Sequence, residues 1–301
     1  MLGIVAAVLF GASHFLNGVL SRRVPAMNVA VCSQTGGAVL FLIWALLTWE
    51  SWPDGTDVVW AGVSGAGAGM GVGALYEGMH ACRISVVVPV TSIVSVAVPF
   101  LLSVLVLGDH VDGRLIVAAL LLVPATWLLS RPINTPRTAP TAGNPPSTPV
   151  SAPAAAQDRS SANVTAVVYG LIAGLGYATQ LFALSRITST EPASPMLISQ
   201  LVSIVPLLLM LRTGSGRFWP FGATTSLSKA TMIGGLAALA MISYLYATRE
   251  AALAPVMIAI ALYPALPVLL ALLVLKERLS GPQVIGLAIT ALVLPLINIA
   301  G

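Results

Sequence analysis

Residues 261–283 read ALYPALPVLLALLVLKERLSGPQ, and this stretch decides the fold. An apolar run carrying Pro264 and Pro267 ends in the charged knot Lys276-Glu277-Arg278, and a Gly281-Pro282 step opens the next apolar run. The same pattern stands 168 residues earlier. Pro267 falls on Pro99, and Leu275-Lys276-Glu277-Arg278 falls on Leu107-Gly108-Asp109-His110. Gly281 falls on Gly113, and upstream Tyr244 falls on Tyr76. A bilayer-length run that occurs once in each half predicts an internally duplicated membrane protein.

Composition agrees. Of 301 residues, 57% are hydrophobic and 8% charged, against about 25% charged in a soluble domain. Such a chain cannot cover an aqueous surface, so the bilayer is the expected solvent. The net charge of +4 is small and sits between the apolar runs, which excludes a nucleic-acid footprint. Cys32 lies in an apolar run and Cys82 in a short turn. Both read as small buried side chains rather than a disulfide. The first run begins at Leu2 without a basic leader and is followed by Arg22-Arg23, so it reads as a true first span rather than a cleaved signal.

A spanning helix needs about 20 apolar residues. Ten runs qualify: 2–20, 28–48, 59–80, 86–107, 114–130, 164–184, 193–211, 229–248, 253–275 and 282–300. Residues 131–163 differ, being rich in Pro, Ala, Ser and Thr without an aromatic. They read as a flexible tether that cannot bury enough apolar surface to order itself. The expected organisation is a five-helix repeat over 1–130, the linker, and a second five-helix repeat over 164–301. Gly3 to Phe10 aligns with Gly170 to Tyr177, and Ser33-Gln34 with Ser199-Gln200. An odd number of crossings per half puts the second copy upside down. The predicted fold class is therefore all-α integral membrane, with ten transmembrane helices as two inverted five-helix repeats.

Charge sets the orientation. Arg22, Arg23, Arg83, Arg131, Arg137, Arg159, Arg212, Arg217, Lys229, Lys276 and Arg278 share one side, leaving Arg114, Arg186 and Arg249 of the 14 basic residues on the other. The basic side is expected to be cytoplasmic, which places the linker inside and both termini outside with the acidic turn Glu50, Asp54, Asp57.

These features resemble the EamA-type drug/metabolite transporter superfamily. The resemblance rests on the helix-end pattern in each half and on Leu275 to Thr290 (LKERLSGPQVIGLAIT). It extends to a subgroup of actinobacterial character through Phe10-Gly11-Ala12-Ser13, Ser21-Arg22-Arg23, Gln34 and Arg83 to Pro89. In the second half it rests on Leu245 to Arg249 and Leu262-Tyr263-Pro264. It covers both halves but not the linker. His14 stands where the subgroup often has an acidic residue, and Gln34 where many members have Arg. The resemblance implies alternating-access transport of a small organic solute in a bacterial cytoplasmic membrane, with no cofactor. It also implies both termini inside, opposite to the charge count. Some relatives move lipid-linked sugars or polyprenyl phosphates, which makes a flippase with a headgroup site at Arg22, Arg23 and Arg83 the alternative.

Solute-lining candidates are the polar side chains buried in apolar runs, where they are costly and tend to mark a pathway. Ser33-Gln34 and Ser199-Gln200 lie at equivalent depths in paired spans; the same amides also serve as interhelical hydrogen bonders. Tyr76, Tyr244 and Tyr263 are cavity-wall or belt aromatics, and Ser92 lies in the proline-bearing fourth span. Ser13, His14 and Asn17 share a face of the first span. His14 titrates near neutrality when unperturbed, and Glu77 is the one carboxylate within an apolar run, so these two are the proton-coupling candidates. Proline bends a helix, and Thr91, Ser92 and Ser95 are expected to bond the carbonyls freed in the fourth span. No catalytic, metal-ligand or nucleotide motif occurs. The expected partners are a small-molecule solute and membrane lipids, with the assembly open between one chain and a homodimer.

Overall fold

The computed structural model describes residues 1–48, 52–82, 84–130, 152–212, 224–276 and 278–298. Arg83, Glu50, Glu277 and the tether over 131–151, all named above, lie outside the described residues. Within them the chain is all helical: α1 (Leu2–Ser21), α2 (Ala26–Thr48), α3 (Gly55–Ala81), α4 (Ile84–Leu105), α5 (Gly113–Leu129), α6 (Ala152–Ser185), α7 (Ala193–Arg212), α8 (Thr224–Glu250), α9 (Leu253–Ile260), α10 (Ala265–Leu273) and α11 (Gly281–Asn298). Eight segments are long and apolar enough to cross a membrane, and Gly113–Leu129 and Gly281–Ile297 are shorter apolar helices. The outward faces are apolar too: Leu47 is 76% exposed and Leu273 70%. This pattern fits a multi-pass membrane protein.

Two expectations change. The backbone of α6 begins at Ala152, so the last part of the stretch read as tether continues a helix; its alanines are the best helix formers. The ninth run is not one helix. After Ile260 the chain makes tight turns, with Tyr263 N–H donating to Ile260 O (2.9 Å) and Ala265 N–H to Leu262 O (3.1 Å). Pro264 has no N–H to continue the ladder. The fourth span, by contrast, keeps Pro89 and Pro99 inside an unbroken helix. The carbonyls that those prolines free belong to Ser85 and Ser95. The neighbouring hydroxyls bond elsewhere, Thr91 to Val87 O (2.8 Å) and Ser95 to Ser92 O (3.0 Å).

Helices joined by loops pack only lightly on each other. The dominant pairs cross from the first part of the chain to the second: α1 and α2 on α8, α3 on α6 and α7, α2 on α7, α4 on α6, and α5 on α11. Glycines permit this, as small residues do between helices in lipid. On α3, Gly65 and Gly69 seat the Ser199 and Ser203 carbonyls of α7, while Gly67 and Gly71 on the opposite face seat α6. Gly36 of α2 meets the Thr231 carbonyl of α8, and Gly234 of α8 meets the Ser33 carbonyl. Asp54 and Asp112 cap α3 and α5, accepting from Asp57 N–H (2.7 Å) and Leu115 N–H (2.9 Å); such caps are each worth about 1 kcal/mol. Cys32 and Cys82 are free.

Candidate functional site

A cavity of about 390 Å³ lies among α1, α3, α4, α6 and the broken segment between α9 and α10. One stripe of α1 faces it: Phe10, His14, Asn17 and Ser21, a spacing that keeps them on a single helical face. Opposite stand Tyr76 and Met79 of α3, Thr91, Ser92 and Ser95 of α4, Tyr177 and Gln180 of α6, and Tyr263, Pro264 and Pro267 at the break. Tyr263 and Pro264 lie in the break itself and Pro267 in the first turns of α10, and all three line the cavity.

The walls form a ring-lined and hydroxyl-lined pocket. The His14 and Tyr263 rings lie 5.4 Å apart at 37°. Tyr263 donates its hydroxyl hydrogen to Ser92 Oγ at 3.1 Å, so three helical segments meet in one array. Asn17 Oδ1 is buried and lacks a hydrogen-bond partner among the described residues. That leaves an acceptor at the wall whose desolvation costs about 1–3 kcal/mol unless something donates to it. No Asp, Glu, Lys or Arg is among the described residues that line the cavity. Chemically, the arrangement suits an uncharged, ring-bearing molecule with donors and acceptors.

The cavity extends toward the end where α1, α3 and α5 finish, since Ser21, Met79 and Ser130 line it. The other end is tied shut. Asp57 is fully buried and accepts from Thr188 N–H (3.0 Å) and Ser189 N–H (2.7 Å). Arg249 donates to Ser189 O and sits 5.3 Å over the Tyr246 ring, a cation–π geometry. Asp109 accepts from Ala254 N–H (2.9 Å) at the start of α9. Trp60 meets Phe182 edge-on at 6.3 Å.

The sequence candidates divide between wall and packing. His14, Tyr76, Ser92 and Tyr263 line the cavity. Ser33, Gln34, Ser199, Gln200 and Tyr244 do not. Gln34 Nε2 donates to Ser203 Oγ (2.6 Å), and Ser203 donates to Gln200 O (2.7 Å). Ser199 donates to Ser64 Oγ (3.0 Å), and Ser64 to Gln180 O (3.2 Å). Gln200 is 2% exposed, its amide against Gly37. Tyr244 is buried and donates to Leu181 O (2.8 Å). The reason is shared: α2 packs on α7 and α8, α7 on α3, and α8 on α6, so these side chains bond or pack across helices instead of facing a void. Glu77 is half-buried beside Tyr76 but not among the lining residues. Tyr177 was not foreseen, although it stands at the repeat position of Phe10, and both rings face the cavity. The sealing roles of Asp57, Asp109 and Arg249 were likewise not legible.

No family profile matches the chain, and no curated protein does. Solved structures do, with 27 matching chains. One, described only as "Crystal structure of protein", superposes over 100% of this chain and 98% of its own, with a TM-score of 0.74 and 14% identity. At that identity the likeness is one of fold alone.

Proposed function

We propose that the chain is a secondary transporter of the EamA-type drug/metabolite kind, moving a small uncharged organic solute by alternating access without a chemical step. Its ten spans would be two inverted five-helix repeats in a bacterial cytoplasmic membrane. The packing supports the repeat. Exchanging each first-half helix for its second-half counterpart turns α1 on α8 into α6 on α3, α2 on α8 into α7 on α3, and α4 on α6 into α10 on α1, and all of these pairs occur. Pairs such as α2 with α7 and α5 with α11 exchange into themselves, as helices astride a two-fold axis do.

The observation that carries the function is the asymmetry of the cavity. Polar and aromatic walls from both halves enclose it, a buried Asp57 tie closes one end, and the cavity reaches Ser21, Met79 and Ser130 toward the other. That is the form of a carrier poised toward one side of the membrane. With the basic side inside, the end lined by Ser21, Met79 and Ser130 faces the cytoplasm. Purified protein in lipid vesicles should show saturable uptake from a panel of uncharged ring-bearing solutes, accelerated by the same solute on the far side. Folded protein with no saturable flux for any of them would end this reading.

A further inference from the structure

The cavity wall is rich in hydroxyls, but most are spent on their own helices. Thr91 donates to Val87 O (2.8 Å), Ser95 to Ser92 O (3.0 Å), Ser21 to Gly18 O (2.9 Å) and Ser130 to Thr126 O (2.9 Å). The polar groups left over are planar or sit on rings. The Tyr76 and Tyr177 hydroxyls and the His14 and Asn17 side chains have no hydrogen-bond partner among the described residues. Asn17 buries Oδ1, which leaves its NH₂ toward the void. Gln180 spends its NH₂ only on the Met241 sulfur, 4.0 Å away, which leaves Oε1 as its unspent acceptor at the wall. Asn17 lies near the end of α1 at Ser21, and Gln180 near the end of α6 at Ser185. The first of these ends is the one lined by Ser21, Met79 and Ser130, and the second runs into the Asp57 seal at Thr188 and Ser189. The two carboxamides therefore stand at different depths. His14 is one turn from Asn17 and Tyr177 one turn from Gln180, each on the side that faces the other amide.

Resting on the transporter reading, the geometry points to a substrate class: an uncharged, flat, fused-ring heteroaromatic with a carbonyl at one edge for the Asn17 NH₂ and a ring N–H at the opposite edge for Gln180 Oε1. Asn17 and Gln180 are then the residues that set specificity, and the rings hold the faces of the molecule. Aromatic faces and edges pack on one another in offset or tilted pairs, as His14 and Tyr263 already do at 5.4 Å and 37°. A sugar fits the wall poorly. Its rim of hydroxyls needs a partner for each, and a buried polar group left unmet is costly, while the serine and threonine hydroxyls here point back to their own helices. A charged ring fits no better, since no Asp, Glu, Lys or Arg is among the described lining residues. The volume of about 390 Å³ lies in the lower part of the range for ligand pockets, about 300–1,000 Å³. A site built to bond a substrate N–H rejects the analogue that lacks it.

The test uses the full chain in phosphatidylcholine nanodiscs, with empty nanodiscs correcting for partition into lipid. The probe is acridin-9(10H)-one, whose N–H and carbonyl lie on opposite edges of a flat ring system. Equilibrium dialysis should show saturable binding of one molecule per chain. Xanthone, which keeps the shape and the carbonyl but has an ether oxygen in place of the N–H, should bind about tenfold more weakly. Gln180→Met should weaken acridone binding about tenfold and leave xanthone binding unchanged, a difference that a structural role for Gln180 would not produce. Asn17→Leu, or Asn17→Ala where the leucine variant fails to fold, should weaken both ligands alike. Xanthone binding as tightly as acridone, or Gln180→Met weakening both equally, overturns the N–H edge. Binding unchanged by Asn17→Leu or Asn17→Ala overturns the carbonyl edge. Absence of acridone binding, or its displacement by sucrose, overturns the ring class. Uptake into vesicles is scored separately. Acridone binding without flux upholds the site and removes the transport reading, while flux of other solutes without acridone binding does the reverse.

Discussion

The Tyr263 hydroxyl and the Ser92 hydroxyl, 171 positions apart in sequence, are joined by a 3.1 Å hydrogen bond. The bond ties the broken ninth span to α4 at the cavity wall, and the same Tyr263 ring stacks against His14. Tyr263→Phe removes the bond and keeps the ring. It should cost about 0.5–1.5 kcal/mol in stability, read by thermal melting in detergent, and raise the KM for uptake severalfold. Tyr263→Ala, which also removes the ring, should raise it further.

Among the described residues that line the cavity, His14 is the one whose side chain ordinarily titrates near neutrality. If it carries the coupled proton, His14→Gln keeps a hydrogen-bonding side chain and loses the titration. Uptake driven by a pH gradient should then vanish while exchange of solute for solute persists. Gradient-driven uptake that survives His14→Gln would assign coupling elsewhere.

Asp57 holds the sealed end through two backbone N–H groups. In Asp57→Asn an NH₂ group replaces one acceptor and faces a donor. Hydrogen bonds to a charged partner are worth about 1.5–3 kcal/mol, so the seal should weaken by that order. An impermeant thiol reagent should label Ile187→Cys at least tenfold faster in the Asp57→Asn background.

The glycine seats are testable against an internal control. Gly36→Ala would drive a methyl into the Thr231 carbonyl, and overpacking of this sort costs about 1–3 kcal/mol. Gly62→Ala on α3 has open space and should be neutral or slightly stabilising. Melting temperatures of the two variants give the comparison.

Gln34 bonds Ser203 across α2 and α7. Interhelical bonds in membranes average about 0.6 kcal/mol. Gln34→Leu should therefore cost that order in stability and leave the KM for solute unchanged. A large rise in KM would return Gln34 to the solute path.

What could be read from the chain follows from what a linear pattern encodes. Run length and hydropathy located the apolar helices, because a helix in lipid must satisfy its backbone internally. The Tyr263-Pro264 step held the break in plain view, but a continuous apolar run hid it. Depth along a span was legible for Ser33, Gln34, Ser199 and Gln200, whereas the direction each faces depends on which helix lies alongside. That partner is set by how α2 and α7 pack on each other, on α8 and on α3, which no local pattern specifies. His14, Ser92, Tyr76 and Tyr263 were found because they are polar or aromatic side chains within apolar runs. Tyr177 was passed over as an ordinary span residue, although its alignment with Phe10 marked it. Asp57 looked like one more acid in an acidic turn, since the Thr188 and Ser189 amides that bury it lie far along the chain.

The interleaving of the two halves bears on how the protein is made. When α1 to α3 leave the ribosome, the helices that fill their glycine seats (α6 to α10) are still unsynthesised. At about 5–20 residues per second, that delay is on the order of ten seconds. The early helices must wait in the bilayer as loosely associated rods, exposed to degradation and to wrong neighbours. Final docking is therefore a late event after insertion, and truncated chains that end before α8 should be cleared by quality-control proteases rather than accumulate.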